Sequence, residues 1–186
     1  MDIKAIIITG PIGSGKSTAL SIIKKLGYNT IDLDEVSGRI LTSNDSIKFL
    51  TENFPTTIVD NQVSRKKIAD IVFDDKLQLE KLEKFLHPKI LNNLNEIINK
   101  NEGITFVEVS APKNIHKEFQ TIVIWSPEEE RIKRLQTRGM EIIDIKNRIK
   151  SQPKDDWWFS IGNVIKNDNL NNLNNEINNF LNNLLK

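Results

Sequence analysis

Residues 10 to 18 read Gly10-Pro11-Ile12-Gly13-Ser14-Gly15-Lys16-Ser17-Thr18. The spacing fits G-x-x-x-x-G-K-[ST], a loop that wraps phosphate groups. The flanks decide whether the match has meaning. Ile3-Lys4-Ala5-Ile6-Ile7-Ile8-Thr9 is a nearly continuous apolar run, as expected of a buried parallel strand. Ala19, Leu20, Ile22, Ile23 and Leu26 then recur at helical spacing, and Gly27 is placed to end that helix. Strand, glycine-rich loop and helix is the context the motif requires. Gly13 and Gly15 let the backbone turn its N–H groups inward, where Ser14 and Thr18 also present theirs. Those donors and the helix N-terminus suit phosphate oxygens. Lys16 is of a length to reach β- and γ-phosphates, and the Ser17 hydroxyl to take a place on Mg²⁺.

The rest of the chain bounds the answer. At 186 residues it is one domain, or one domain with an insertion. A net charge of +1 gives no electrostatic reason to expect a nucleic-acid partner. The absence of cysteine excludes disulfides, thiolate metal sites and a cysteine nucleophile, and suits a cytoplasmic location. No apolar run approaches the length of a membrane span, and the N-terminus enters the first strand without a signal-peptide pattern. His87 and His116, far apart and without clustered carboxylates, do not make a zinc site.

Downstream of the loop, Tyr28-Asn29-Thr30-Ile31 is expected to be a second strand ending in Asp32-Leu33-Asp34, followed by a helix over 35–41. Two carboxylates at the carboxyl end of a parallel strand stand where open α/β sheets bind ligands, although Asp34 is also a possible helix N-cap. Residues 43–63 read as polar and irregular. Ser64 caps an expected helix over 65–74, and another is expected over 76–86. Pro88 is expected to break the chain before a third helix over 89–100, leaving His87 at the break. Strands follow at 104–109, 121–125 and 163–167. Between the last two, expected helices over 128–138 and 141–151 carry Arg131, Arg134, Arg138 and Arg148 around Gly139. Basic runs are usually solvated faces. Two basic helices joined by a short turn also have the form of a lid over phosphates. Trp157-Trp158-Phe159 reads as packing, with an adenine platform as the alternative, and Leu170 to Leu184 as an amphipathic C-terminal helix.

Taken together these segments describe an α/β, three-layer P-loop fold with a central five-stranded parallel sheet, a helical insertion and a lid. In detail the chain resembles the dephospho-CoA kinase family over nearly its whole length. The carrying segments are Thr9 to Thr18; Leu26-Gly27 with Ile31-Asp32-Leu33-Asp34; and Ser64-Arg65 with Ile68-Ala69 and Ile71-Val72-Phe73. They continue with Leu82-Glu83 and His87-Pro88; Arg134-Leu135 with Arg138-Gly139-Met140; Arg148-Ile149 with Gln152; and Val164-Ile165-Lys166-Asn167. There are departures. The family usually has glycine where Pro11 stands, and Ser110-Ala111-Pro112-Lys113-Asn114 replaces a Pro-Leu-Leu segment ending in an acid. Acceptor contacts of that segment are therefore not carried over. Glu108 stands where an acid at the strand end is expected.

The resemblance implies one P-loop kinase domain over 1–186. Its core covers about 1–42 and 103–186, a substrate-binding insertion about 43–102, and a lid about 134–153. It implies ATP as co-substrate, Mg²⁺, and dephospho-CoA as the small-molecule substrate, with neither nucleic acid nor membrane as partner and a monomer expected. By the same resemblance, Lys16 holds the donor phosphates, Ser17 and Asp32 serve the metal, and Asp34 deprotonates the acceptor hydroxyl. Arg138 and Arg134 stabilise the transferring charge, and Asn167 hydrogen-bonds adenine. Arg65 and His87 face the acceptor. Two other readings fit the residues: a P-loop kinase for another metabolite or a nucleoside monophosphate, and a nucleotide-binding module without transfer activity.

Overall fold

In the computed structural model, which describes residues 3–184 apart from the side chains of residues 73 and 74, the chain divides into two compact units. One comprises Met1–Asp32 and Asn101–Lys186, the other Leu33–Lys100. Phe73, part of the resemblance, thus has its side chain outside the described residues.

The first unit is built on five parallel strands: β1 (Ala5–Thr9), β2 (Asn29–Asp32), and three more that follow the second unit in the chain. Numbered along the chain these are β5 (Thr105–Glu108), β6 (Gln120–Trp125) and β7 (Asn163–Lys166), in the order β2-β5-β1-β6-β7. Every residue of β1 is buried, which explains why it carries no polar alternation. On one face Ile6, Ile8, Phe106, Ile122, Ile124 and Ile165 pack against two helices. These are α1 (Lys16–Lys25), through Ala19 and Ile23, and α9 (Leu170–Leu184), through Leu173, Ile177 and Leu181. Each large side chain buried there contributes about 1.5–3 kcal/mol. The spacing of 4 between the α9 residues puts them on one stripe and turns the asparagines outward. Leu26 and Gly27 end α1, with Gly27 at φ +92.

Between β6 and β7 lie α6 (Glu128–Thr137), α7 (Ile142–Lys150) and the short α8 (Asp155–Ser160). Gly139, at φ +83, terminates α6 as expected. Pro127 occupies the N-cap of α6, and the Ser126 hydroxyl before it donates to the Asn167 carbonyl. The aromatic trio splits: Trp158 is buried, with its indole N–H on the Pro153 carbonyl, and Phe159 is exposed against Trp125.

The second unit departs from the expectation in two places. Residues 43–63 are not irregular. They form α3 (Asn44–Asn53), capped by the Ser43 side chain on the Ser46 N–H, then a 3₁₀ turn (Pro55–Thr57) and a hairpin of β3 (Ile58–Val59) and β4 (Gln62–Val63). Asp60 and Asn61, at φ 49 and 60, make the two-residue turn that such a tight hairpin needs. The expected break at Pro88 does not occur either, and α5 runs unbroken from Lys76 to Lys100. Proline removes the bond to the Lys84 carbonyl, a loss of about 3 kcal/mol in a helix interior. Pro88 and Lys84 are both exposed, so water can take that carbonyl. Leu82 on one side, and Leu94 and Ile98 on the other, are buried and hold both halves of the helix in place. The remaining helices are α2 (Leu33–Leu41) and α4 (Arg65–Asp74), the latter capped by Ser64 on the Lys67 N–H. Leu50, Phe54, Ile68 and Leu82 make the unit's own core.

Candidate active site

The carboxyl ends of the strands carry the polar residues. Thr9 closes β1, Asp32 closes β2 and Glu108 closes β5, while Ser126 and Asn167 directly follow β6 and β7. Ligands of open parallel sheets bind at this edge.

The loop from Gly10 leads into α1 through Gly15, whose φ is +102. A side chain there would be strained and would run into the Asn167 amide, so glycine is required twice over. Lys16 Nζ donates to the carbonyl oxygens of Gly10 (3.1 Å) and Pro11 (3.4 Å), which folds the ammonium back across the loop. The Ser17 hydroxyl donates to Glu108 Oε1 at 2.8 Å. Glu108 is buried, and Asp32 is its register partner on the neighbouring strand. One hydroxyl and two carboxylates therefore gather at the head of α1. Among the described residues no group of three or more His, Cys, Asp or Glu could hold a metal by itself.

Behind the loop is a polar knot that the sequence reading did not anticipate. Arg134 Nη1 donates to Ser126 Oγ (2.8 Å), Ser14 O (3.3 Å) and Gly13 O (3.5 Å), and its Nη2 to Asn167 O (2.9 Å). Asn167 Nδ2 donates to Ser14 O at 2.7 Å, and Ser126 Oγ donates to Asn167 O at 2.5 Å. Arg131, buried beneath the loop, donates from Nε to Ser126 O (3.0 Å) and from Nη1 to Ile12 O (3.5 Å). Burial pulls the Arg131 guanidinium below the usual arginine range, against the opposing pull of Asp155 and Glu128. These donors grip the carbonyls of residues 12, 13 and 14 from behind. Within the loop the Ser14 N–H donates to the Pro11 carbonyl at 3.2 Å. A curled loop held from behind in this way can offer its other peptide N–H groups to a phosphate.

Of the expected residues, Gly13, Ser14, Gly15, Lys16, Ser17, Thr18, Asp32, Arg134 and Asn167 all fall at this edge. Arg134 and Asn167, expected at the nucleotide, bond to the loop itself. Arg138 caps the C-terminus of α6 and is exposed. Asp34, Arg65 and His87 belong to the second unit. Asp34 is exposed in the first turn of α2, inside the helix rather than at an N-cap. The Arg65 guanidinium lies against Gly38, where any Cβ would collide with its Nη2, and Gly38 is one turn along α2 from Asp34. His87 is exposed on α5, next to Pro88. Glu108, Arg131, Ser126 and Gln152 are additions from the structure. Glu108 had a signal as an acid at the end of an apolar strand, Gln152 stood among the residues of the resemblance and Arg131 among the arginines around Gly139, but none of the three had a role assigned, and Ser126 had no signal.

The model of the dephospho-CoA kinase family matches residues 4–173. The chain belongs to the dephospho-CoA kinase family. A relative from Dehalococcoides mccartyi, named dephospho-CoA kinase, is 31% identical over 176 residues, covering 89% of each chain. A crystal structure from Thermus thermophilus superposes with a TM-score of 0.92 at 26% identity, covering all of both chains. A structure named dephospho-CoA kinase from Campylobacter jejuni gives 0.65 at 26% identity and 97% of both. Membership in the dephospho-CoA kinase family makes this chain a kinase with ATP as co-substrate. Among the described residues no helix is long and apolar enough to cross a membrane.

Proposed function

We propose that the protein transfers the γ-phosphoryl group of ATP to the ribose 3′-hydroxyl of dephospho-CoA, giving CoA and ADP, the last step of coenzyme A biosynthesis. The observation that carries this reading is the braced phosphate loop, with Ser17 bonded to Glu108 beside Asp32, in a chain of this family. Phosphoryl transfer asks little of a protein beyond position and charge, and a braced loop supplies both.

In this reading the amides of Gly13, Ser14, Gly15, Ser17 and Thr18 and the Lys16 ammonium take the donor phosphates. To do so Lys16 leaves the Gly10 and Pro11 carbonyls, and the Ser14 amide leaves the Pro11 carbonyl. Ser17 and Asp32, with Glu108 orienting the hydroxyl, offer hard oxygen donors of the kind Mg²⁺ takes, together with water and phosphate oxygens. When bound, such an ion would neutralise charge on the β- and γ-phosphates. Asp34 accepts the proton of the 3′-hydroxyl as its oxygen bonds to the γ-phosphorus. The bond from the γ-phosphorus to the β-bridging oxygen breaks, and ADP departs with the electron pair. Arg138 stabilises the oxygens of the transferring group. Arg134 and Asn167 serve the nucleotide by holding the loop. Arg65 and His87 take the acceptor. We place the protein in the cytoplasm, where ATP is held, acting as a monomer.

With ATP, Mg²⁺ and dephospho-CoA, the protein should form ADP and CoA one for one. Lys16→Ala should fold and form neither, because Lys16 serves phosphate and not the core. Turnover by folded Lys16→Ala near that of the wild type would refute the reading.

A further inference from the structure

Ile12 is held at both ends. Its carbonyl accepts from Arg131 Nη1 at 3.5 Å, and its N–H donates to Gln152 Oε1 at 2.9 Å. The two partners come from different stretches between β6 and β7: Arg131 lies in the middle of α6, and Gln152 is the second residue beyond the end of α7. Pro11, just before, has no N–H to offer. The Gln152 bond therefore holds the first amide after the loop's proline, and it spans 140 residues. Gln152 is half-buried, and the turn it occupies is fastened by its own N–H to the Ile149 carbonyl.

We infer that Gln152 is a positioning residue, which sets the entry of the phosphate loop through the Ile12 amide and ties that loop to the end of the lid. The inference rests on the kinase reading for its consequence but not for its geometry. A loop amide tied outward cannot swing in to compete with the amides that follow it, so the cradle is formed before the nucleotide arrives. The β-phosphate of ATP sits in that cradle in both the ground and the transition state. Loss of the tie should therefore weaken nucleotide binding uniformly and leave the chemical step nearly intact.

The test uses Gln152→Met, which keeps the length and loses the acceptor, and Gln152→Asn, which keeps the amide and falls a methylene short. Affinity for ADP is measured by titration, which needs no acceptor, so a wrong substrate assignment leaves this result standing. ADP affinity should drop roughly 5- to 50-fold, the scale of one orphaned amide. The KM for ATP should rise with it, kcat should stay within about threefold, and the KM for dephospho-CoA should not move. The Ile12 amide should exchange faster with solvent in both variants. Unchanged ADP affinity, a loss confined to kcat, or variants that lose only thermal stability or fail to fold would each overturn the inference.

Discussion

The Ser17 hydroxyl donates to Glu108 Oε1 at 2.8 Å, joining the first turn of α1 to the end of β5 across 91 residues. A hydroxyl whose proton is committed to a carboxylate presents its lone pairs in a fixed direction. That is what a hydroxyl ligand to a cation needs, and outer partners of this kind are commonly worth 10- to 100-fold in metal affinity, roughly. Glu108→Gln keeps the size and removes the charge. It should raise the Mg²⁺ concentration for half-maximal rate by about tenfold or more, with rates recovering toward wild type at saturating Mg²⁺. An unchanged Mg²⁺ dependence would leave Glu108 a structural partner of Ser17 only.

The two arginines at the end of α6 should separate experimentally. Arg134 makes four hydrogen bonds to the protein. Arg134→Ala should cost about 1.5–3 kcal/mol of stability, the range for bonds to a charged donor, and loosen nucleotide binding as the loop relaxes. Arg138 is exposed. Arg138→Ala should leave the melting temperature nearly unchanged and lower kcat by about 10³- to 10⁵-fold, with ATP affinity little altered. Thermal melts and steady-state kinetics on both variants check the pair. A reversed outcome would exchange their roles.

What could be read from the sequence, and what could not, divides along physical lines. The phosphate loop, the strands at Ile6, Phe106 and Ile122 and the stripe of Leu173, Ile177 and Leu181 all follow local periods, and local periods are visible in one dimension. The hairpin around Asp60-Asn61 has two-residue strands, too short to show alternation, and α3 hides its few apolar positions among polar ones. Pro88 misled because the local cost of a proline is legible, whereas the burial of Leu82, Leu94 and Ile98 that outweighs it is tertiary. In the site, the strand–loop–helix order was enough to put Lys16 and Ser17 at the head of α1. It could not show that Arg134 and Asn167 bond to Ser14, or that Gln152 meets Ile12, because those pairs are 120, 153 and 140 residues apart. Nothing in the residues themselves marks them as partners.

Asp34 stands in the first turn of α2, two residues beyond the end of β2. As general base toward the acceptor, it should be worth about 10²- to 10⁴-fold in kcat. Asp34→Asn keeps the shape and removes the base, so kcat with dephospho-CoA should fall by that order while ADP affinity, measured by titration, stays as in the wild type. A variant with unimpaired kcat would show that the proton goes elsewhere.

The central claim is the identity of the acceptor. The most direct measurement is kcat/KM for ADP formation from ATP and Mg²⁺ across dephospho-CoA, adenosine and a nucleoside monophosphate, with the phosphorylated product identified for each. The account predicts that dephospho-CoA is preferred by orders of magnitude and is phosphorylated on its ribose 3′-hydroxyl. A preference for a nucleoside monophosphate, or nucleotide binding with no turnover of any acceptor, would contradict it.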